Sequence, residues 1–279
     1  MDYYEINLML SPFSDEISEI VIAEFADLGC DSFVNVENGV NAYIATNIFD
    51  ENKINEAVET LKNITKISYS VNRVKAQNWN VIWEANFEPI VIDDVCTIRA
   101  PFHSNLPTTK YDIVIMPKMS FGTGHHATTY LVAEALLYLD IIGLNVLDMG
   151  CGTGILAIIA SLKNAAHVDA IDIDNWAFEN AKENIITNGV AEKIDVILGD
   201  VAQIKGKLYD LILANINRNI ILSDIEHYSQ SLKSGGRLIV SGIFTDDIIA
   251  IETTANSYGL KKIEQKSRDN WARIQFLKC

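Results

Sequence analysis

The chain has 279 residues, 49% apolar and 21% charged, enough to bury a core in one large domain or two of ordinary size. Its net charge of −15 repels phosphate backbones, which argues against duplex nucleic acid as the principal partner; it would attract a basic protein, or else serve solubility alone. Four scattered cysteines without a C-x-x-C pair argue against a zinc or disulfide framework and suit a reducing cytosol; the acidic N-terminus is unlike a signal peptide, and no apolar run nears the ~20 residues of a membrane span.

In chain order, "YYEINLML" (3–10) reads as a strand and "SDEISEIVIAEFADLG" (14–29) as a helix with a serine cap and a glycine stop. "DSFVNVE" and "NAYIATNI" read as two strands of a hairpin turning at Asn38-Gly39. "DENKINEAVETLKNI" (50–64) is a second helix and "KISYSVNRV" (66–74) a further strand. The order β-α-β-β-α-β predicts a ferredoxin-like α+β domain over residues 1–76. It holds no catalytic constellation. Yet the first 100 residues carry 6 Lys/Arg against 17 Asp/Glu, a net of −11. A linker and domain junction is expected over 77–107: a short aromatic helix with Trp79, Trp83 and Phe87 on one face, then strands.

From about residue 110 strands and helices alternate. "LNVLDMG" (144–150), "HVDAIDID" (167–174), "KIDVILGD" (193–200), "YDLILANI" (209–216) and "GRLIVSGI" (236–243) read as strands. "TGILAIIASLKN" (153–164), "WAFENAKENIITNG" (176–189) and "DDIIAIETTANSYG" (246–259) read as helices, with two more strands at the end. The pattern predicts a parallel, doubly wound, Rossmann-like α/β domain over 108–279. Such sheets bind ligands beyond the carboxyl ends of their strands. Gly150, Asp172, Asp200 and Asn215 all fall at those ends.

"DMGCGTG" places glycines at 150, 152 and 154, with isoleucine at 155, so it is not the dinucleotide G-x-G-x-x-G. Gly150, Gly152 and Gly154 let a ligand lie against bare backbone. Asp148 adds a carboxylate suited to an amino-bearing ligand rather than a pyrophosphate. Asp172, at the end of the next strand, is placed to accept from two ribose hydroxyls. The cluster resembles the S-adenosylmethionine site of class I methyltransferases.

"FGTGHHATT" (121–129) precedes the first strand of that sheet and runs into a helix. His125 and His126 diverge by about 100° at a helix start, which argues against a metal. A phosphate loop wants lysine where His125 stands. The expectation is a glycine loop that hinges Phe121 over the cofactor rim, with Thr129 in the helix behind it.

"FGTGHHATT", "LDMGCGTGILAI", "IDIDNWAFENAKEN" and "ANINRNI", with "NWNVIWEANFEPIVI" upstream, are together similar to the bacterial methyltransferases of the eleventh large-subunit ribosomal protein. The resemblance covers nearly the whole chain. It implies that Phe121, Thr129, Gly150, Asp172 and Asn215 line the cofactor, and that the N-terminal domain recognises the substrate. The family's usual glycine is replaced by Lys118 and its usual leucine by Ile216. The implied reaction moves a methyl from S-adenosylmethionine to a lysine or N-terminal amine, leaving S-adenosylhomocysteine, with no metal. Asn215 then accepts from the incoming amine. "NIN" in place of Asn-Pro-Pro-Tyr argues against a flat amide or base as acceptor. A monomer away from the membrane is expected. Two alternatives stand: another amine or a nucleic-acid acceptor for the same cofactor, or a non-catalytic cofactor-binding module.

Overall fold

The computed structural model describes residues 2–74, 87–104, 106–118 and 120–279. The chain divides into two compact units, Met1–Asn86 and Phe87–Cys279.

The first unit runs β1 (Tyr3–Ser11), α1 (Asp15–Asp27), β2 (Ser32–Val36), β3 (Gly39–Ala45), α2 (Glu51–Leu61) and β4 (Lys66–Val74). Its sheet order is β2-β3-β1-β4, with every neighbouring pair antiparallel. Helix α1 starts at Asp15 because the Ser14 hydroxyl accepts from the amide of Ile17. Asp50 caps α2 through the amide of Asn52. Ile6, Leu8, Phe25, Val40 and Ile54 meet in its core. The hairpin turns one residue earlier than expected. Val36 pairs with Gly39, so the turn residues are Glu37 and Asn38, and Asn38 takes the positive φ of 60°. Gly39 lies in β3 instead, where a Cβ would sit 2.1 Å from the Leu8 carbonyl oxygen. Trp79 and Trp83 lie outside the described residues.

The second unit opens with a small sheet of β5 (Ile90–Ile92), β6 (Cys96–Arg99) and β7 (Tyr111–Val114). Strand β7 was not foreseen: four residues with one buried position carry little alternation. Then follow α3 (Ala127–Tyr138), β8 (Asn145–Met149), α4 (Ile155–Leu162), β9 (His167–Asp172), α5 (Asn175–Thr187), β10 (Ile194–Leu198), β11 (Tyr209–Asn215), α6 (Arg218–Gln230), β12 (Leu232–Phe244), α7 (Ile248–Ser257), β13 (Leu260–Arg268) and β14 (Trp271–Lys278).

The seven strands β8 to β14 build one sheet, ordered β10-β9-β8-β11-β12-β14-β13. Its first five strands are parallel. The expectation of a parallel sheet fails at the last two, because β14 runs antiparallel to both β12 and β13. The cause is the two-residue turn Asp269-Asn270, both at positive φ, which folds β13 back on β14 as a hairpin. Alternate residues of β11 feed two cores. Leu211 and Leu213 face α3, α4 and α5, while Ile212 and Ala214 face α6 and α7. The parallel strands therefore bury both faces and end on one rim.

Candidate active site

The rim is centred on the turn after β8. Gly150, Gly152 and Gly154 all adopt positive φ, at 72°, 55° and 78°. A Cβ on Gly150 would lie 2.2 Å from Ile216 Cγ2, and one on Gly152 would lie 2.2 Å from the Phe121 carbonyl oxygen. Both positions need glycine for conformation and for space. The Ile171 carbonyl accepts from the amides of Gly150 and Cys151, which ties the turn to β9.

Around the turn opens a cavity of about 640 Å³. Phe121, Gly150, Gly152, Asp172, Asp200 and Asn215 line it. Asp172 accepts from the amides of Gly152 (2.9 Å) and Asp174 (3.0 Å). Each of its oxygens keeps a further lone pair for a ligand hydroxyl. Asp200 caps the short turn Val201–Ile204 through the amide of Ala202. The Asn215 Nδ2 donates to Thr129 Oγ1 at 3.3 Å, while its Oδ1 is buried and has no partner among the described residues.

Three expected positions stand behind the wall rather than on it. Thr129 is buried and reaches the cavity only through Asn215. Gly154 is the left-handed cap of α4, packed 3.3 Å (from its would-be Cβ) against Ala181 of α5. Asp148 is fully buried, so its expected meeting with a ligand amine is corrected. Its Oδ2 accepts from the amide of Ala157 and its Oδ1 has no partner among the described residues. Burial pushes its pKa up to about 7, against the stabilising amide and with a smaller push from Asp172. The strand alternation that buries Leu147 and Met149 on one face sends Asp148 under α4 on the other.

The loop before α3 leans on the glycine turn. Thr153 donates from its amide to the Phe121 carbonyl (2.9 Å) and from its hydroxyl to the Gly122 carbonyl (2.6 Å). The Phe121 ring stays 54% exposed at the cavity edge. The two histidines part, as expected. His125 reaches the Glu88 carbonyl with Nε2 and tilts against Phe87. His126 caps α3, its Nδ1 accepting from the Thr128 amide, and its ring meets those of Phe121 (5.1 Å) and Trp271 (4.6 Å). Lys118 pairs with Glu183 of α5.

Sequence reasoning missed Trp271, Trp176, Asp224 and Thr128 on the cavity wall. Trp271 carried a signal in Asp269-Asn270, the turn that returns it beside Phe244 at a 4.1 Å ring stack. Helix α6, which carries Asp224, had one in Asn217, whose side chain accepts from the amides of Asn219 and Ile220.

The family model described as "Ribosomal protein L11 methyltransferase (PrmA)" matches residues 17–278. Proteins named ribosomal protein L11 methyltransferase from Phocaeicola vulgatus and Bacteroides thetaiotaomicron are each 42% identical to this chain, over 280 and 279 residues, with 99% of both chains covered in each case. A crystal structure of ribosomal protein L11 methylase from Lactobacillus delbrueckii subsp. bulgaricus aligns with a TM-score of 0.64 at 27% identity, covering 68% of this chain and 98% of that one. The α/β fold with its central mixed sheet is thus class I methyltransferase-like.

Proposed function

The chain belongs to the ribosomal protein L11 methyltransferase family, and on that premise we propose that it transfers methyl groups from S-adenosylmethionine to lysine side-chain amines, and to the N-terminal amine, of L11. The observation that carries this reading is Asn215, whose carboxamide is held by Thr129 on one side and offers on the other a buried Oδ1 without a partner among the described residues. A buried acceptor without a partner costs about 1–3 kcal/mol, which an N–H from an incoming amine offsets.

The residues present fit the cofactor. Gly150 and Gly152 leave a cradle that a Cβ would fill, and Asp172 keeps lone pairs for the ribose hydroxyls. When bound, S-adenosylmethionine supplies a methyl on a sulfonium, open to in-line displacement. The chain's own task is alignment. Asn215 orients the amine. Phe121 covers the edge and excludes water. The amine must arrive neutral, and a free lysine titrates near ~10.4, about three units above neutral pH. The polar cost is about 4 kcal/mol, which a partly desolvated cavity reduces by lowering the lysine pKa. The acceptor proton then leaves to solvent.

The antiparallel order β2-β3-β1-β4 supports a ferredoxin-like domain over 1–76, and its acidic surface supports recognition of a basic protein. We take the working form to be a cytoplasmic monomer. Among the described residues no helix is long and apolar enough to cross a membrane. The test supplies labelled S-adenosylmethionine with L11 in one arm and bulk RNA in the other, across a salt series. Label in L11, with a Michaelis constant that rises with salt, is the expected result. Label in RNA alone overturns the acceptor. A Michaelis constant indifferent to salt removes charge as the basis of recognition.

A further inference from the structure

Helix α5 carries asparagine where a helix gains least from it. Asn180, Asn184 and Asn188 recur every four residues and so share one face. Asn188 closes the helix, but Asn180 and Asn184 are interior to it and buried. Asparagine disfavours helix interiors because its side chain competes for backbone groups. Here it has backbone to hold that lies outside the helix.

That backbone belongs to β7, an edge strand paired only with β6. Just beyond β7, the Ile115 amide turns to the β6 side and meets the Arg99 carbonyl at 2.8 Å. The residues flanking Ile115 turn the other way, to α5. Asn188 accepts from the Val114 amide at 2.9 Å and donates to its carbonyl at 2.7 Å. Asn184 Oδ1 accepts from the Met116 amide at 2.9 Å. Two residues of extended chain rise ~6.6 Å and four of helix ~6.0 Å, so the two rungs stay in step.

Asn184 reaches further than Asn188. Its Nδ2 donates to the Thr153 carbonyl at 2.9 Å and to Asn180 Oδ1 at 3.2 Å. An amide donor before Oδ1 and two acceptors before Nδ2 leave one orientation for this carboxamide. Thr153 in turn holds the Phe121 carbonyl with its amide and the Gly122 carbonyl with its hydroxyl. The chain is thus fastened at Met116, before the loop, and at Phe121 and Gly122, within it, through Asn184 and Thr153.

We propose that Asn184 is a positioning residue, which sets where Phe121 covers the cavity edge by fastening the backbone on both sides. It acts from behind the wall, since it does not line the cavity. The inference rests on the methyl-transfer reading above and adds to it a residue that touches neither cofactor nor acceptor.

The test compares Asn184→Ser with Asn188→Ser in the full chain. Both remove bonds to the backbone at 114–116, and both are expected to lower the melting point. Only Asn184 also reaches the glycine turn. Hydrogen exchange is read at the Thr153 amide, whose own partner, the Phe121 carbonyl, neither substitution alters. Exchange there is expected to quicken about tenfold in Asn184→Ser and to stay within about twofold of the parent in Asn188→Ser. With L11 as acceptor, kcat is expected to fall about tenfold in Asn184→Ser, while the Michaelis constant for L11 and the affinity for S-adenosylhomocysteine stay within about threefold. If Asn184→Ser fails to fold, Asn180→Ala removes only the acceptor that steadies the Asn184 carboxamide, and is expected to move both readouts the same way by about threefold. A folded Asn184 or Asn180 variant in which either the Thr153 exchange or kcat keeps the parent's value overturns the proposal. Equal changes in Asn188→Ser overturn it too, because the ladder then serves stability alone. No label in L11 from the unaltered chain overturns the methyl-transfer reading, and the positioning role falls with it, while the exchange at Thr153 still decides whether Asn184 fastens the loop.

Discussion

The two glycine clusters of this chain look alike in sequence and differ in what surrounds them. In the turn at 150–154, the atom nearest a Cβ on Gly152 is a backbone oxygen at 2.2 Å. In the loop at 121–126, a Cβ on Gly124 meets the side-chain ends of Ile90 and Ile98, at 2.9 and 3.1 Å. Side-chain ends rotate away, whereas backbone does not. The turn is therefore built to hold one shape, and the loop is built against it. Alterations in the turn should act on binding and folding together, while alterations in the loop should act on turnover with the fold intact.

The largest effect is expected from Gly152→Ala. The substitution combines a positive φ with a backbone clash, and displaces Phe121 through its carbonyl. Strain of about 1–3 kcal/mol from the dihedral alone adds to the cost of moving the loop. A loss of cofactor affinity of about a hundredfold, or about 2.7 kcal/mol, is expected by calorimetry, with a lowered melting point. Gly124→Ala should cost less in both measurements. Equal losses at the two positions would remove the distinction between turn and loop.

Asp148 gives the comparison a pH axis. Its carboxyl, ordinarily near 3.8, is pushed up to about 7 by burial beneath the turn. Between those values the folded chain binds more protons than the unfolded one, so this group makes stability fall as pH rises from about 4 to about 7 and level off above. The whole window is worth on the order of 4 kcal/mol at ~1.4 per unit. Asp148→Asn should flatten that fall, seen as melting points that no longer decline between pH 5 and 7. A variant with the parent's slope would place the titration elsewhere.

Asp172→Ala removes one acceptor pair from the turn and, on the cofactor reading, from the ribose. A charge-assisted bond is worth about 1.5–3 kcal/mol, so affinity should fall at least tenfold. The amides of Gly152 and Asp174 lose their partner as well, so some loosening of the turn is expected. Unchanged affinity in a folded variant counts against the ribose role.

How much of this was legible in the sequence follows from the range of the interactions. The strands β8, β9 and β11 were readable because parallel strands buried on both faces give unbroken apolar runs. Asp172, Asp200 and Asn215 were readable because strand ends define the rim. Asp148 was misplaced, since its burial depends on α4 passing over it, a contact that no local pattern records. The antiparallel edge was missed although Asp269-Asn270 announces it, because alternation upstream favoured a parallel sheet. Thr129 was named for the right neighbourhood and lies one layer back, behind Asn215. The second layer of a site is set by which helix packs where, and that information is tertiary.

On the loop side, Phe121→Ala should leave the melting point unchanged, since the ring is more than half exposed and the backbone bonds to Thr153 remain. Turnover should fall about three- to tenfold, or about 0.6–1.4 kcal/mol, as the cover over the cavity edge is lost. Equal rates at saturating cofactor would count against a covering role.

The smallest effect is expected at Lys118, the residue that stands where a glycine is usual. Its partner Glu183 lies on α5, and both side chains are about half exposed. An exposed pair is worth about 0–1 kcal/mol and weakens with salt. Lys118→Gly removes that tie and also frees the backbone ahead of the loop, which costs about 0.5–1 kcal/mol of unfolded-state entropy. Both terms act on loop order rather than on the turn, whose hydrogen bonds to Ile171 and Asp172 do not involve this residue. Cofactor affinity should therefore stay within about twofold of the parent, and the melting point should drop by no more than a few degrees. If the tie slows loop opening, turnover should rise slightly at low salt and match the parent at high salt, where the pair is already screened in both proteins. A loss of affinity as large as that of Asp172→Ala would show that the loop and the turn form one rigid body, and the contrast between the two glycine clusters would have to be given up.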